Sequence, residues 1–236
     1  MNTRIIELFR LLLLDIFFII PFLPGNAYPQ SHDVLFRQNI EISINPTRDD
    51  KYAVTSLTKT NIRFLSERSK DVMSFFIHSG YIEKVTKINY SFDGKNYDKS
   101  DADSFSPEPS DVLISDETVY QLRLPKVPQT GDELSYEYKT EFYAYEFLSG
   151  VIIPKMDSLT QFTVSIDYPK ELHPSFIVIP AQESFNYKID SSSANTIKLQ
   201  IDGIPYHKST EYFNANDSYG EIIFSIKKNA GRIPGQ

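Results

Sequence analysis

The fold class is decided by the stretch ELSYEYKTEF, residues 133–142, in which apolar and polar residues alternate. Alternate residues of an extended chain point to opposite faces, so one face of this stretch is largely apolar and the other is charged. A helix would repeat its apolar positions about every 3.6 residues, and this stretch does not. We therefore predict a β-strand with a buried face formed by Tyr136, Tyr138 and Phe142 and an opposite face formed by Glu137, Lys139 and Glu141.

The same period of two recurs along most of the chain. Strands are predicted at residues 34–44, 52–65, 85–92, 119–124, 159–168, 176–179, 184–189, 196–201 and 221–226. The apolar run at 72–77 is typical of a short strand covered on both faces. Asp93-Gly94 follows an alternating stretch and predicts a tight hairpin, since such a turn needs residues with positive φ.

Turn-forming residues separate these strands. Residues 98–111 contain four Asp, four Ser and two Pro and are predicted to form a flexible loop, while 125–132 is predicted to be a turn. About a dozen short strands without a convincing amphipathic helix indicate an all-β fold, a large antiparallel β-sandwich. We expect one domain over residues 28–236, and the connection at 150–158 is the candidate for an internal boundary.

The first 27 residues are typical of a signal peptide. Arg4 and Arg10 accompany the apolar run Leu11–Leu23, and Gly25-Asn26-Ala27 offers the small residues of a cleavage site. Cleavage after Ala27 would leave 236 − 27 = 209 residues and export them to the periplasm or the cell surface. An uncleaved anchor is the alternative. The apolar run has 13 residues and a span needs about 20, so no stable membrane span is expected.

Composition excludes several classes of function. The chain contains no Cys, so it has no disulfide, no thiolate metal site and no Cys nucleophile, which rules out transglutaminase and cysteine-protease activity in this chain. The formal net charge of −7 argues against a nucleic-acid partner. Export without disulfides suits a bacterial cell envelope.

The sequence predicts no catalytic site, no metal site and no cofactor. No Ser lies in a Gly-x-Ser-x-Gly elbow. The four histidines lack the spacing of metal ligands and are interpreted as separate surface imidazoles: His32, His78, His173 and His207. Glu137 and Glu141 share a strand face, but four residues of strand put them about 13 Å apart, so a solvated polar face is expected rather than a paired-carboxylate site.

The aromatic phase changes just after the deciding strand. Tyr143, Tyr145 and Phe147 continue the positions that were polar in residues 133–142, which predicts a β-bulge or a strand that passes into a covered region. Aromatic faces also stack on flat ligands. These three residues are therefore the candidate site for a ligand or a partner, and the alternative is ordinary burial beneath residues 151–153.

Three parts of the chain carry a resemblance to a known family. The first is Ile88–Lys95, a strand that ends in an Asp-Gly-Lys turn and leads to an Asp- and Ser-rich loop. The second runs from Tyr120–Pro128 into Gly131–Tyr138, and the third comprises Lys198–Pro205 and Ile222–Ser225. Together they make the chain similar to an exported bacterial domain of unknown function that usually precedes a transglutaminase-like core domain.

The resemblance implies a β-sandwich, an exported location and no catalytic residue to carry over. The chain stops at Gln236, where the transglutaminase-like domain would begin, and a stand-alone form and a truncated gene are both open. We expect a non-catalytic accessory or interaction module of the cell envelope. Its partner would be an envelope polymer or a protein, such as a transglutaminase-like or peptidase domain. The alternative is an envelope hydrolase, acting on glycan or peptide, whose site the fold assembles.

Overall fold

Strands dominate the architecture. The computed structural model describes residues 34–48, 51–65, 75–106, 117–148, 150–154, 158–180, 185–204 and 218–228. Within these ranges the strands are β1 Val34–Pro46, β2 Tyr52–Phe64, β3 Phe76–Ser79, β4 Glu83–Phe92, β5 Lys95–Asp98, β6 Asp103–Phe105, β7 Thr118–Gln121, β8 Glu133–Phe142, β9 Gly150–Pro154, β10 Ser158–Asp167, β11 Leu172–Pro180, β12 Tyr187–Asp190, β13 Thr196–Ile204 and β14 Ser218–Lys228. Two short 3₁₀ helices lie at Lys99–Asp101 and Tyr145–Phe147.

Three sheets contain these strands. The largest has eight strands in the order β12-β13-β10-β1-β2-β8-β4-β5, and two three-stranded sheets have the orders β11-β14-β9 and β3-β7-β6. Buried apolar side chains of all three sheets form one contiguous hydrophobic cluster. The predicted all-β, sandwich-like fold is therefore confirmed.

One strand pair departs from the predicted antiparallel arrangement. β1 and β10 pair in parallel, with Ile40 opposite Val164. A parallel neighbour cannot be reached by a hairpin, so the chain forms β2 to β9 before it returns beside β1. Alternation shows which face of a strand is buried, but it contains no information about the direction of the neighbouring strand.

The large sheet has one buried face, apolar apart from hydroxyl residues such as Thr58 and Thr60, and one polar face. Along β2, every second residue from Val54 to Phe64 is buried, and Phe64 contacts Phe92 edge-to-face with ring centroids 6.5 Å apart. The opposite face carries hydrogen-bonded polar side chains, such as Asn89, whose amide donates to Glu137 at 2.8 Å. Burial of the apolar face supplies most of the stability of such a sheet.

Strand β8 has the predicted phase. Tyr136, Tyr138 and Phe142 pack against the core, and Glu137 and Glu141 lie on the polar face. The two tyrosine rings are half-buried, and their hydroxyls hydrogen-bond with buried threonines of β2, Tyr136 with Thr60 and Tyr138 with Thr58. Burial raises the pKa of both tyrosines. Lys139 also lies on the polar face, where it approaches Glu141.

The predicted hairpin is confirmed at Asp93-Gly94. Phe92 pairs directly with Lys95, and the two turn residues have φ of 51° and 72°. A two-residue loop with positive φ at both positions matches the twist of the adjoining strands, and Gly94 adopts such a φ without steric cost.

Other local predictions are wrong. The predicted loop at 98–111 contains a 3₁₀ helix and strand β6 in its described part, because the Asp98 carboxylate caps that helix and strand β6 pairs with β7. The connection at 150–158 contains strand β9, which pairs with β14, and the internal boundary suggested there stays a prediction. Phe76 is 49% exposed, so β3 is not covered on both faces. The signal peptide lies outside the described residues, and both it and the domain bounds stay predictions.

Candidate functional site

The end of β8 meets the start of β4. Phe142 pairs with Glu83, so the residues just after β8 lie beside those just before β4. The Tyr143 N–H donates to the Ile82 carbonyl at 2.9 Å, and the Gly80 N–H donates to the Glu83 carbonyl at 2.8 Å to close the turn that precedes β4. Tyr81 in that turn is thereby brought next to Tyr143.

Three aromatic side chains form an exposed cluster at this junction. Tyr81 and Tyr143 stack with ring centroids 5.6 Å apart and an interplanar angle of 29°, and Phe147 lies 6.2 Å from Tyr143. Their exposures are 70% for Tyr81, 68% for Tyr143 and 43% for Phe147, and the neighbouring Ile82 is also exposed. We call Tyr81, Tyr143 and Phe147 the aromatic patch. Contiguous exposed apolar surface of this kind marks interaction sites more often than scattered single residues do.

The predicted change of strand phase after Phe142 is wrong. Residues 145–147 form a 3₁₀ helix, in which the Leu148 N–H donates to the Tyr145 carbonyl at 3.1 Å. The strand therefore does not continue into a covered region. Beyond Phe142, alternation no longer predicts which side chains are buried. Tyr143 and Phe147 are not buried beneath β9; Ile152 of that strand is itself exposed.

Tyr145 differs from the other two predicted residues. Its ring packs edge-to-face on Tyr52 with centroids 5.4 Å apart, and it contacts the core. The Lys228 ammonium lies 5.5 Å from the centroid of the Tyr52 ring on β2. Burial raises the pKa of Tyr145, and the adjacent Glu146 carboxylate raises it further. The structure thus places Tyr143 and Phe147 together on the surface and Tyr145 in a supporting position.

An open cavity of about 430 Å³ adjoins the aromatic patch, and we call it the acidic cavity. Its described lining is His78, Gly80, Tyr81, Ile82, Glu83 and Glu117. The Nδ1 of His78 contacts the Glu117 carboxylate, and the His78 side chain is more than half exposed, a surface position as predicted. Burial raises the pKa of Glu83, the His78 ring opposes that rise, and the Glu117 carboxylate adds to it.

The acidic cavity combines a histidine with two carboxylates, a set suited to proton transfer. Its described lining includes no Ser or Thr. The nearby Ser79 is buried, and its hydroxyl oxygen accepts the Val85 N–H at 3.0 Å. In the described part of the chain, no group of three His, Asp or Glu side chains is placed to hold a metal ion.

A second cavity of about 540 Å³ has Tyr143 in its lining. Its described lining is Thr47, Lys51, Tyr52, Tyr143, Ala144, Tyr145, Glu146 and Lys228. The cavity beside Tyr143 therefore has Lys51, Glu146 and Lys228 in its lining. The acidic cavity beside Tyr81 has Glu83 and Glu117. The patch has an apolar centre and a charged rim.

Of the other histidines, His173 is absent from the described lining of both cavities. His173 is exposed on β11, and His32 and His207 lie outside the described residues. None of the helices in the described ranges is long and apolar enough to cross a membrane.

The sequence indicated part of the site and missed the rest. The sequence gives no signal for Tyr81 and Ile82, because a single aromatic residue after Ser79-Gly80 forms no periodic pattern. The pair His78–Glu117 joins residues 39 positions apart through the pairing of β3 with β7, where Ser79 lies opposite Thr118. Tyr81 precedes β4 and Tyr143 follows β8. The pairing of β4 with β8 would have brought these two aromatic residues together, but the sequence does not reveal that pairing.

Comparisons with known proteins support the fold alone. No protein-family model and no curated protein sequence matches the chain. The chain is similar in structure to a "putative protease" from Parabacteroides distasonis, with a TM-score of 0.56 and 10% sequence identity; the match covers 81% of this chain and 40% of that one. At this identity the likeness shows the fold alone.

A second solved structure is less similar. It is a "putative nutrient binding protein" from Legionella pneumophila, with a TM-score of 0.40 and 10% identity over 82% of this chain and 67% of that one. A likeness at this level supports no functional argument. The match covers 40% of the Parabacteroides protein, so the chain spans less than half the length of that protein.

Proposed function

We propose that the chain is a non-catalytic accessory module of the bacterial cell envelope that binds a protein partner through the aromatic patch. The observation that carries this proposal is the stacking of Tyr81 on Tyr143 at 5.6 Å while both rings remain about two-thirds exposed. Two large rings held in contact with each other, but left open to water, offer a preformed apolar surface.

The physical features of the patch suit protein binding. Tyr is enriched among the residues that contribute most to protein–protein affinity, since it buries a large ring and loses little conformational freedom. The stack fixes Tyr143 beforehand, which reduces the entropy lost on binding. Glu83, Glu146 and Lys228 surround the rings as a charged rim, the arrangement typical of an interface with an apolar centre.

The fold similarity is consistent with an accessory role. The Parabacteroides protein contains this fold in 40% of its length, so a fold of this kind occurs as one part of a larger protein. The resemblance to a domain that precedes a transglutaminase-like core makes such a domain, or a peptidase domain, the first candidate for the partner.

Export is part of the proposal and has its own test. Residues 1–27 have the charge, apolar run and small residues of a signal peptide. N-terminal sequencing of the protein recovered from the periplasm should begin at Tyr28. An intact Met1 form recovered from the membrane would show that the segment is retained.

An envelope hydrolase is the second candidate, favoured by the acidic cavity. Glu83, with its raised pKa, is suited to act as a general acid, and the pair His78–Glu117 is suited to accept a proton. Under this alternative, Glu83→Gln would abolish release of soluble fragments from purified cell-wall material. Equal release by Glu83→Gln and the unaltered protein would remove it.

Site-specific cross-linking tests the favoured proposal. A photo-reactive amino acid at position 143 should cross-link one defined protein in cells, because the rings there face solvent. Position 187 provides the matched control, since Tyr187 is an exposed tyrosine on β12, at the opposite edge of the eight-stranded sheet from β5. Equal cross-linking from both positions, or none from position 143, would contradict a partner site at the aromatic patch.

A further inference from the structure

The polar face of the large sheet contains a groove that is separate from the aromatic patch and lined mainly by polar residues. It has a volume of about 660 Å³, and its described lining comes from β2, β4, β5 and β8 and from the 3₁₀ helix after β5. This volume falls within the range of small-molecule sites. None of the residues of the aromatic patch lines it.

Direct cross-strand pairing builds the groove from two rows of polar residues. The first row runs across four adjacent strands through Asn61, Ser135, Ser91 and Asn96. The second row runs in the same order through Lys59, Glu137, Asn89 and Asp98. Adjacent strands are about 4.8 Å apart, so each row extends about 14 Å, the length of a short polymer segment rather than of a single small molecule.

Side-chain size shapes the first row. Its two central residues, Ser135 and Ser91, are short, and its two outer residues, Asn61 and Asn96, are longer. A row with short residues in the middle forms a depression on an otherwise flat sheet. Tyr97 on the edge strand β5 stacks on Tyr90 at 4.9 Å on the core face of the sheet, and this contact holds β5, with Asn96 and Asp98, in place beside β4.

The side chains of the groove are held in place by hydrogen bonds to one another. Ser135 donates to the Asn61 amide oxygen at 2.7 Å, and the Asn89 amide donates to Glu137 at 2.8 Å. The Ser135 bond uses neither of the two Asn61 amide hydrogens, and the Asn89 bond does not use its amide oxygen. The groove therefore presents fixed donors and acceptors side by side.

Two charged side chains of the groove pair with residues outside its lining, and Asp98 and Asp101 add two further carboxylates to that lining. Lys59 lies 3.3 Å from Glu41, and Glu137 lies 3.6 Å from Lys87. This excess of carboxylates disfavours an anionic ligand. The amides and hydroxyls of the groove instead match a neutral ligand in which neighbouring groups both donate and accept hydrogen bonds, as vicinal hydroxyls of a sugar do.

We infer that this groove binds a neutral oligosaccharide, with Asn61, Asn89 and Glu137 as its principal hydrogen-bonding residues. The saccharide would lie across the four strands, with hydroxyl groups donating to the Glu137 carboxylate and the Asn89 amide oxygen and accepting from the Asn61 amide. The inference does not depend on the aromatic patch, because the two sites share no described residue.

Calorimetric titration of the purified full chain tests this inference. The probes are four trisaccharides: those of N-acetylglucosamine, of β-linked glucose, of α-linked glucose and of mannose. At least one should bind, and Asn89→Ala should weaken that binding about tenfold, the usual effect of one lost hydrogen bond to a polar ligand. Glu137→Gln, which keeps the shape of the side chain, should weaken it by a similar factor.

Two controls make the result specific. Gln200 lies on the same polar face, on β13, and donates to Asp202 at 2.6 Å, the same kind of amide-to-carboxylate bond outside the groove. Gln200→Ala should change the affinity less than about twofold. Tyr143→Ser should also leave it unchanged.

Three outcomes would overturn the inference. One is the absence of heat for all four trisaccharides at concentrations of about 10 mM. Another is binding that persists undiminished in both Asn89→Ala and Glu137→Gln. The third is binding that Tyr143→Ser abolishes, which would place the sugar at the aromatic patch and leave the proposed partner site to be reconsidered separately.

Discussion

Two neighbouring stretches of the chain, 133–142 and 143–147, each contain two tyrosines and one phenylalanine, but most of these rings differ in their surroundings. In β8, the rings of Tyr136 and Tyr138 pack toward the core, and their hydroxyls hydrogen-bond with threonines of β2. In the next five residues, Tyr143 and Phe147 are exposed. The difference arises from neighbours: β8 is paired on one side with β2 and on the other with β4, whereas the backbone of Tyr143 donates a single bond to Ile82.

The comparison shows what alternation can report. A period of two describes burial only while the chain stays extended, because successive side chains of an extended backbone point to opposite faces. Once pairing ends at Phe142, the chain turns into a 3₁₀ helix and the same residue types face water. The aromatic residues of the first stretch pack on the core, whereas in the second stretch Tyr145 supports the fold and Tyr143 and Phe147 face solvent.

The largest expected effect separates the two stretches by stability. Tyr138→Ala should lower the free energy of unfolding by about 3 kcal/mol, because it removes a ring packed on the core and leaves Thr58 without its partner. Tyr143→Ala should lower it by less than about 0.5 kcal/mol, since its ring is mostly in water. Urea denaturation of both variants measures the difference. Equal losses would mean that the two stretches have the same structural role.

A smaller effect sharpens the boundary within the second stretch. Tyr145→Ser should cost about 1–2 kcal/mol, because it removes the edge-to-face contact with Tyr52 and opens a gap beside the core. Phe147→Ser is the matched control on the same 3₁₀ helix and should cost about 0.5 kcal/mol or less. A larger loss for Phe147→Ser than for Tyr145→Ser would reverse the assignment of the two rings.

The smallest expected effect on stability concerns Glu83, which pairs with Phe142 at the end of the first stretch. The pKa of Glu83 is raised above its usual 4.5, so the folded chain binds this proton more tightly than the unfolded chain. The resulting stabilisation is present at low pH and is lost as the pH rises from 4.5 through the folded pKa. Glu83→Gln removes that loss.

This variant should therefore be more stable than the unaltered protein at pH 7, by at most about 0.5 kcal/mol after solvent screening of an exposed side chain. The two proteins should have equal stability at about pH 3, below both pKa values, where Glu83 is neutral in both states. Thermal denaturation at the two pH values gives the comparison. A stabilisation of the same size at both would show that burial of charge is not its cause.

Much of the fold could be predicted from the sequence, for reasons visible in particular residues. Each long strand has one apolar face, and Asp93-Gly94 has the backbone preferences of a two-residue turn. Strand β9 was missed because its five residues, Gly150–Pro154, show no alternation. The parallel pairing of β1 with β10 was missed because strand direction depends on the whole topology.

The candidate site was predictable only in part. Tyr143 and Phe147 were predicted from a change of strand phase, although the chain leaves the strand at Phe142 and forms a 3₁₀ helix. Tyr81 and the pair His78–Glu117 come from other segments and reach the site through the pairing of β4 with β8 and of β3 with β7. Contacts between segments so far apart in sequence are set by tertiary structure, and no local pattern records them.

The most direct test of the central claim combines binding and stability in one variant. Tyr81→Ser with Tyr143→Ser removes both stacked rings and leaves Tyr145 and the core in place. With the partner identified by cross-linking, we expect the double variant to bind at least about tenfold more weakly, since aromatic residues of this kind contribute 2 kcal/mol or more to interfaces, while its melting temperature stays within about 2 °C. Unchanged affinity for that partner, or a melting temperature lowered as far as in Tyr138→Ala, would contradict the claim that the aromatic patch is a binding surface.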